Sequence, residues 1–215
     1  MPTDDVEKRV VPLSNPSNVK WVPIDLTQPA CGAKMKGFPL LHLLDAMEAA
    51  RGPEMAQAWR ASLPQEIREK TERRAVTSVS WLPIEYYFHG VAWTARELLG
   101  PGARHVLRIG HQTAVADIGA FFRFVLSMAS PATVLNLSGR FWKSYFDQST
   151  LKVVTSTPNS CTAEVNGWPL RDEESLHEMA GSLVAWMEAS RARDVKFSQF
   201  ELVEPGHFVV EAGWS

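Results

Sequence analysis

The sequence lacks three features that would mark a membrane-spanning, nucleic-acid-binding or disulfide-stabilised protein. No run of 18 apolar residues occurs among its 215 residues, and the first ten residues are too charged for a signal peptide. Its 22 Lys and Arg against 24 Asp and Glu give a net charge of -2, which does not favour nucleic-acid binding. Cys31 and Cys161 are the only cysteines, and we predict that both are reduced. We therefore expect a cytoplasmic protein without membrane insertion.

Common catalytic and metal-binding motifs are also absent. The chain contains no Gly-x-Ser-x-Gly elbow, no glycine-rich phosphate loop and no His-Glu-x-x-His pair. Of the six histidines, only His105 and His111 are close in sequence, and a spacing of six residues does not put them on one helix face. The sequence gives no basis for an enzymatic activity, and we predict no metal site and no cofactor.

Proline divides the chain into an arm and a body. Residues 1–36 contain five prolines, each of which removes a backbone donor and disfavours helix at the preceding residue. We predict an extended arm over 1–36 and a single domain over 37–215. The apolar residues around Trp21 favour an arm that lies on the body as a strap, although a floppy tail is the alternative.

The first half of the body has helical periodicity. Apolar residues recur at i, i+3, i+4 and i+7, and glycine or proline interrupts the pattern. We predict helices over 39–50, 53–62, 81–99, 103–129 and 131–146.

After Asp147 the period changes from 3.6 to 2. Strands are predicted over 151–155, 161–166, 195–202 and 207–214, with a helix over 172–191 between the second and the third strand. Their alternation of apolar and polar residues is typical of an antiparallel sheet with one solvated face. We therefore predict an α+β fold, in which a helical half packs on a four-stranded antiparallel sheet.

Large aromatic rings are unusually numerous, with eight Trp, ten Phe and three Tyr. Many lie in the predicted helices, and together they exceed what one helical seam can bury. They are compatible with an ordinary core, an apolar ligand pocket or a subunit interface. For a pocket, the candidate ligand-binding residues are Trp81, Tyr87, Phe88, His89, Phe121, Phe122, Arg123, Phe141, Trp142 and Tyr145.

Several segments carry a resemblance to a known family. These are WLPIEYY at 81–87, GRFWKSYFD at 139–147, EVNGWP at 164–169 and FVVEAGW at 208–214. Over roughly residues 80–215 the chain resembles a myxobacterial paralogous family of uncharacterised proteins. That family in turn resembles the superfamily of haem nitric-oxide-binding domains, 4-vinyl-reductase ligand-binding domains and transport-particle subunits.

The resemblance implies helices over a four-stranded sheet, a pocket for a small apolar molecule between them, and homodimerisation. It does not extend to haem or metal, because the Tyr-x-Ser-x-Arg string of the haem branch and the cysteines of the vinyl-reductase branch are missing. We predict a non-enzymatic sensory or adaptor domain that binds a small hydrophobic ligand. The alternative is a protein–protein interaction module without a ligand.

Overall fold

The computed structural model describes residues 6–14, 20–72, 75–128, 131–190 and 192–215, with only the backbone course given for 120–128, 131–132 and 135–136. Helices dominate the N-terminal half. In chain order its elements are α1 (Val6–Arg9), β1 (Lys34–Lys36), α2 (Phe38–Arg51), α3 (Pro53–Ala61), α4 (Gln65–Lys70), β2 (Trp81–Pro83), α5 (Ile84–Leu99), a 3-10 turn (Ala103–His105), α6 (Val106–Met128) and α7 (Pro131–Tyr145).

Proline and glycine set the helix boundaries as the sequence predicts. Proline occupies the first turn of α2 and of α3, where its missing N–H leaves no helical hydrogen bond unmade. Gly52 ends α2 with φ +84°, and Gly100 ends α5 with φ +90°, in a region that disfavours residues with a Cβ. The predicted helices are confirmed, with boundaries shifted by a few residues.

One helix boundary was wrong. Residues 81–83 were predicted to open a helix, but they form β2, which pairs antiparallel with β1. Pro83 explains the difference, because it disfavours helical backbone at the residue before it. The helix α5 begins only at Ile84.

The C-terminal half has the predicted order of two strands, a helix and two strands. Its elements are β3 (Thr150–Ser156), β4 (Ser160–Asn166), α8 (Glu173–Ala189), β5 (Lys196–Glu204) and β6 (His207–Gly213). The four strands form one antiparallel sheet in the order β3-β4-β6-β5. The predicted α+β class is confirmed. Among the described residues, no helix has the length and apolar composition needed to cross a membrane.

Helix α8 packs closely against α6, and two glycines make this approach possible. A Cβ on Gly181 would lie 2.1 Å from the carbonyl oxygen of Leu107, and a Cβ on Gly110 would lie 2.3 Å from that of Glu178. No side chain fits in these gaps. The other side of α8 faces the sheet, so this helix is buried between two layers.

The described parts of the N-terminal segment lie on the body. Val6 and Val10 are buried, and Val10 and Ser14 bridge in parallel to β5 at Phe197 and Glu201. The backbone N–H of Ser14 donates to the carbonyl of Phe200. Over these residues the chain is a strap along the sheet edge. A domain boundary after residue 36 stays a prediction.

Candidate functional site

A cavity of about 110 Å³ lies between the helices and the inner face of the sheet. Its sheet side is almost entirely apolar and is formed by Leu151, Val153, Cys161, Ala163, Phe197, Val210 and Ala212. Its helical side combines apolar, aromatic and a few polar groups from α5 to α8, namely Tyr87, Ala114, Asp117, Val134, Ser138, Phe141, Trp142, Tyr145, Glu178, Met179, Ser182, Leu183, Trp186 and Met187. Met35, Pro39 and Phe146 are the remaining lining residues in the described part of the chain.

Four of the predicted ligand-binding residues line this cavity. Tyr87 comes from α5, and Phe141, Trp142 and Tyr145 come from the C-terminal end of α7. Two of the rings pack on Trp186 of α8, since Phe141 stacks on it at 5.5 Å between centroids and Tyr145 meets it edge-on at 6.0 Å. The convergence of three helices therefore brings these aromatic residues together.

Three other predicted site residues lie elsewhere. Phe88 is buried in the solid core, edge-on to Trp168 at 5.3 Å. The Nδ1 of His89 accepts a hydrogen bond of 3.3 Å from the indole of Trp59. Trp81 is 42% exposed on β2, with the Lys36 ammonium 4.1 Å from its ring centroid. The side chains of Phe121, Phe122 and Arg123 lie outside the described residues.

The polar end of the cavity is centred on the Glu178 carboxylate, which is 2% exposed. The Tyr87 hydroxyl donates to Glu178 Oε1 at 2.7 Å, and the Ser182 hydroxyl donates to the same oxygen at 2.9 Å. Tyr87 is also within 2.9 Å of the Thr113 hydroxyl. The carboxylate is thus held by donors from α5 and α8 in a cavity whose lining is mostly apolar.

Burial shifts the acidity of this cluster. It raises the pKa of Glu178 to about 7, an effect that the hydrogen bonds from Tyr87 and Ser182 oppose and the nearby Asp117 charge increases. Burial and the negative charge of Glu178 also raise the pKa of Tyr87 well above its usual value. The Tyr87 hydroxyl therefore keeps its proton, and Glu178 changes charge near neutral pH.

The second acidic group of the lining, Asp117, has a partner of opposite charge. Its Oδ1 lies 2.5 Å from Nδ1 of His42 on α2, and this hydrogen bond raises the pKa of His42. Burial raises the pKa of Asp117. An imidazolium on His42 compensates the charge of Asp117.

The sequence analysis missed Glu178, Asp117 and Ser182. In α8 the apolar positions from Leu176 to Met187 indicate one buried face, and Glu178 lies opposite it. The sequence signal that could have revealed Glu178 is the small size of the other side chains on that opposite face. Gly181, Ser182 and Ala185 are all small, as a close contact with another helix requires, and such a contact buries Glu178 as well.

Comparison with solved structures shows proteins of the same architecture. The Fe(II) unliganded H-NOX protein from K. algicida superposes with a TM-score of 0.61 at 12% identity, over 84% of this chain and 97% of that chain. An oxygen-binding H-NOX domain related to soluble guanylate cyclases gives a TM-score of 0.59 at 9% identity, over 84% and 95%. The chain has the H-NOX fold. Neither a protein-family model nor a curated protein sequence matches it, so membership of the myxobacterial family stays a prediction.

The described residues around the cavity do not fit the haem that this fold implies. The described lining contains no histidine to ligate iron and no Lys or Arg to pair with propionates, and its two charged groups, Asp117 and Glu178, are both acidic. Burial raises the pKa of the Cys161 thiol to about 11, which disfavours the thiolate that iron requires. The 110 Å³ of space also suits a molecule much smaller than a porphyrin.

Proposed function

We propose that this chain is a sensory domain that binds a small hydrophobic ligand in the cavity between its helices and its sheet. The observation that carries the proposal is a largely apolar cavity with polar groups at one end, the usual composition of small-molecule sites. The H-NOX fold supports it, because similar structures of this architecture include an oxygen-binding domain and a domain in which haem distortion was probed.

The ligand contacts in this proposal come from α7, α8 and the sheet. Phe141, Trp142, Tyr145 and Trp186 supply aromatic area, and Tyr87 with Glu178 orients the ligand through hydrogen bonds. An empty apolar cavity loses dispersion contacts along its lining. A ligand that restores them stabilises the folded state.

Tryptophan emission and thermal melting test this function with one panel of compounds. The panel holds short fatty acids, alcohols, small aromatics and amines, and we expect at least one class to shift both the emission and the Tm. Trp186→Phe should reduce the change in emission because Trp186 lines the cavity. Trp59→Phe, a buried tryptophan outside the cavity, should leave it intact.

A cavity-filling variant locates the site. Ala163 of β4 lines the cavity, so Ala163→Leu should remove binding by occupying the space. Thr162→Leu adds similar bulk on the other face of the same strand and should bind as the wild type does. If no compound shifts emission or Tm, the ligand-binding function is wrong and the interaction module is favoured.

A further inference from the structure

Glu178 places a carboxylate oxygen in the cavity that the described residues do not satisfy. The hydrogen bonds that described residues donate to this side chain, from Tyr87 and Ser182, both reach Oε1. Among the described residues no donor reaches Oε2, although the side chain is only 2% exposed. A buried carboxylate without full hydrogen bonding is costly, so Oε2 is an acceptor available to a bound molecule.

The charges of the lining favour a cationic ligand. Asp117 is paired with His42, whereas no Lys, Arg or His of the described residues lies within ion-pair distance of Glu178. The described part of the lining contains no basic side chain. A cation beside Glu178 would compensate its buried charge, while an anionic ligand would be repelled by both carboxylates.

The lining of the cavity is chemically complementary to a ligand that has an ammonium group and a hydrocarbon moiety. Phe141, Tyr145 and Trp186 form a contiguous aromatic surface, and aromatic faces attract organic cations. The sheet side offers only apolar groups such as Val153, Ala163 and Ala212. One end therefore accepts a protonated nitrogen, and the remainder buries apolar surface.

We propose that the cavity binds a small hydrophobic amine, whose protonated nitrogen donates a hydrogen bond to Glu178 Oε2 and whose hydrocarbon body packs between the aromatic helices and the sheet. This inference rests on the proposed ligand-binding function and names the chemical class of the ligand.

Four compounds that each contain one phenyl ring distinguish the effect of ligand charge on affinity from the effect of ligand shape. They are benzylamine (cation), toluene and benzyl alcohol (neutral) and benzoate (anion), measured by calorimetric titration at pH 8. We expect benzylamine to bind at least tenfold more tightly than either neutral compound, and benzoate not to bind. Equal binding of toluene or benzyl alcohol would overturn the amine class and leave ligand binding standing. Binding of none of the four would overturn the amine class, whereas the ligand-binding function fails only if the wider panel of fatty acids, alcohols, aromatics and amines also gives no shift in emission or Tm.

Glu178→Gln tests the assigned acceptor, because it keeps the side-chain shape and removes the charge. Benzylamine should then bind no more tightly than toluene. Glu174→Gln, one turn earlier on α8 and outside the cavity, should bind benzylamine as the wild type does. Unchanged benzylamine affinity in Glu178→Gln would contradict the assignment.

The pH dependence of the wild type provides a test that needs no variant. The groups around Glu178 are Tyr87 from α5, Thr113 and Asp117 from α6, Tyr145 from α7 and Ser182 from α8, with His42 paired to Asp117. Since the pKa of Glu178 is about 7, benzylamine affinity should fall on the order of 30-fold from pH 8 to pH 5.5. Toluene affinity should change little, and a parallel change for both compounds would overturn the proposal.

Discussion

At the scale of single residues, burial of the Glu178 carboxyl links the stability of the fold to pH. Its folded-state pKa of about 7 lies above the ordinary value of 4.5. Between these pH values the folded protein holds a proton that the unfolded chain releases. The free energy of unfolding contributed by this group therefore falls as pH rises from 4.5 to 7.

We expect Glu178→Gln to lose this pH-dependent contribution. Relative to the wild type, its free energy of unfolding should rise by up to roughly 3 kcal/mol between pH 4.5 and pH 7. Urea unfolding at several pH values measures the difference, and groups such as His42 and Asp117 titrate in both proteins. Glu174→Gln is the control and should run parallel to the wild type. A constant difference for Glu178→Gln across this range would contradict the predicted shift.

At the scale of elements, the crossing of α6 and α8 determines where Glu178 lies. Gly110 and Gly181 let the two backbones approach, and the Ser182 hydroxyl oxygen lies 3.2 Å from the carbonyl oxygen of Gly110 across the contact. The crossing closes the cavity on one side of α8. Its geometry therefore affects both the stability of the fold and the shape of the cavity.

Gly181→Ala is expected to separate these helices. The added Cβ would meet the carbonyl oxygen of Leu107 at 2.1 Å, and the helices must shift to relieve the overlap. We expect a loss of about 1–3 kcal/mol in unfolding free energy, measured by urea denaturation. At Gly213 a Cβ would be 3.7 Å from its nearest neighbour, the carbonyl oxygen of Asn159, so Gly213→Ala should change stability little. Equal effects at both glycines would rule out close helix packing as the cause.

The elements also show how far periodicity predicts structure. The period of 3.6 before Asp147 and the period of 2 after it predict the helices and the four strands, because each pattern depends on local backbone geometry. Elements β1 and β2 were not predicted. Each has three residues, and they exist through their pairing across 44 intervening positions of the chain, which no local pattern records.

At the scale of the whole molecule, a symmetric homodimer through the helices stays a prediction. Leu137 on α7 is 36% exposed, and an apolar residue on an exposed helix face suits a subunit interface. Light scattering at micromolar concentration should give twice the mass of 24.0 kDa. Leu137→Lys should weaken the dimer, whereas Val203→Lys on β5 should not, because that position belongs to the sheet. A mass of one chain for the wild type would remove the prediction.

The fold class and four of the residues that line the cavity were predictable from the amino-acid sequence alone. Tyr87, Phe141, Trp142 and Tyr145 stand out as large aromatic residues on helices, and both properties are visible along the chain. A cavity among aromatic helices was therefore predictable. The sequence also excluded the propionate-binding string of the haem branch.

Which aromatic side chains line the cavity and which pack in the core depends on the tertiary structure. Phe88 and Tyr87 are neighbours with the same apolar character, yet Phe88 packs on Trp168 while Tyr87 reaches the cavity and Glu178. The chemistry of the site likewise depends on Glu178, whose position in α8 predicts an outward face. Its burial results from the approach of α6 along a stripe of small residues, and contacts between distant segments are not encoded in the periodicity of either one.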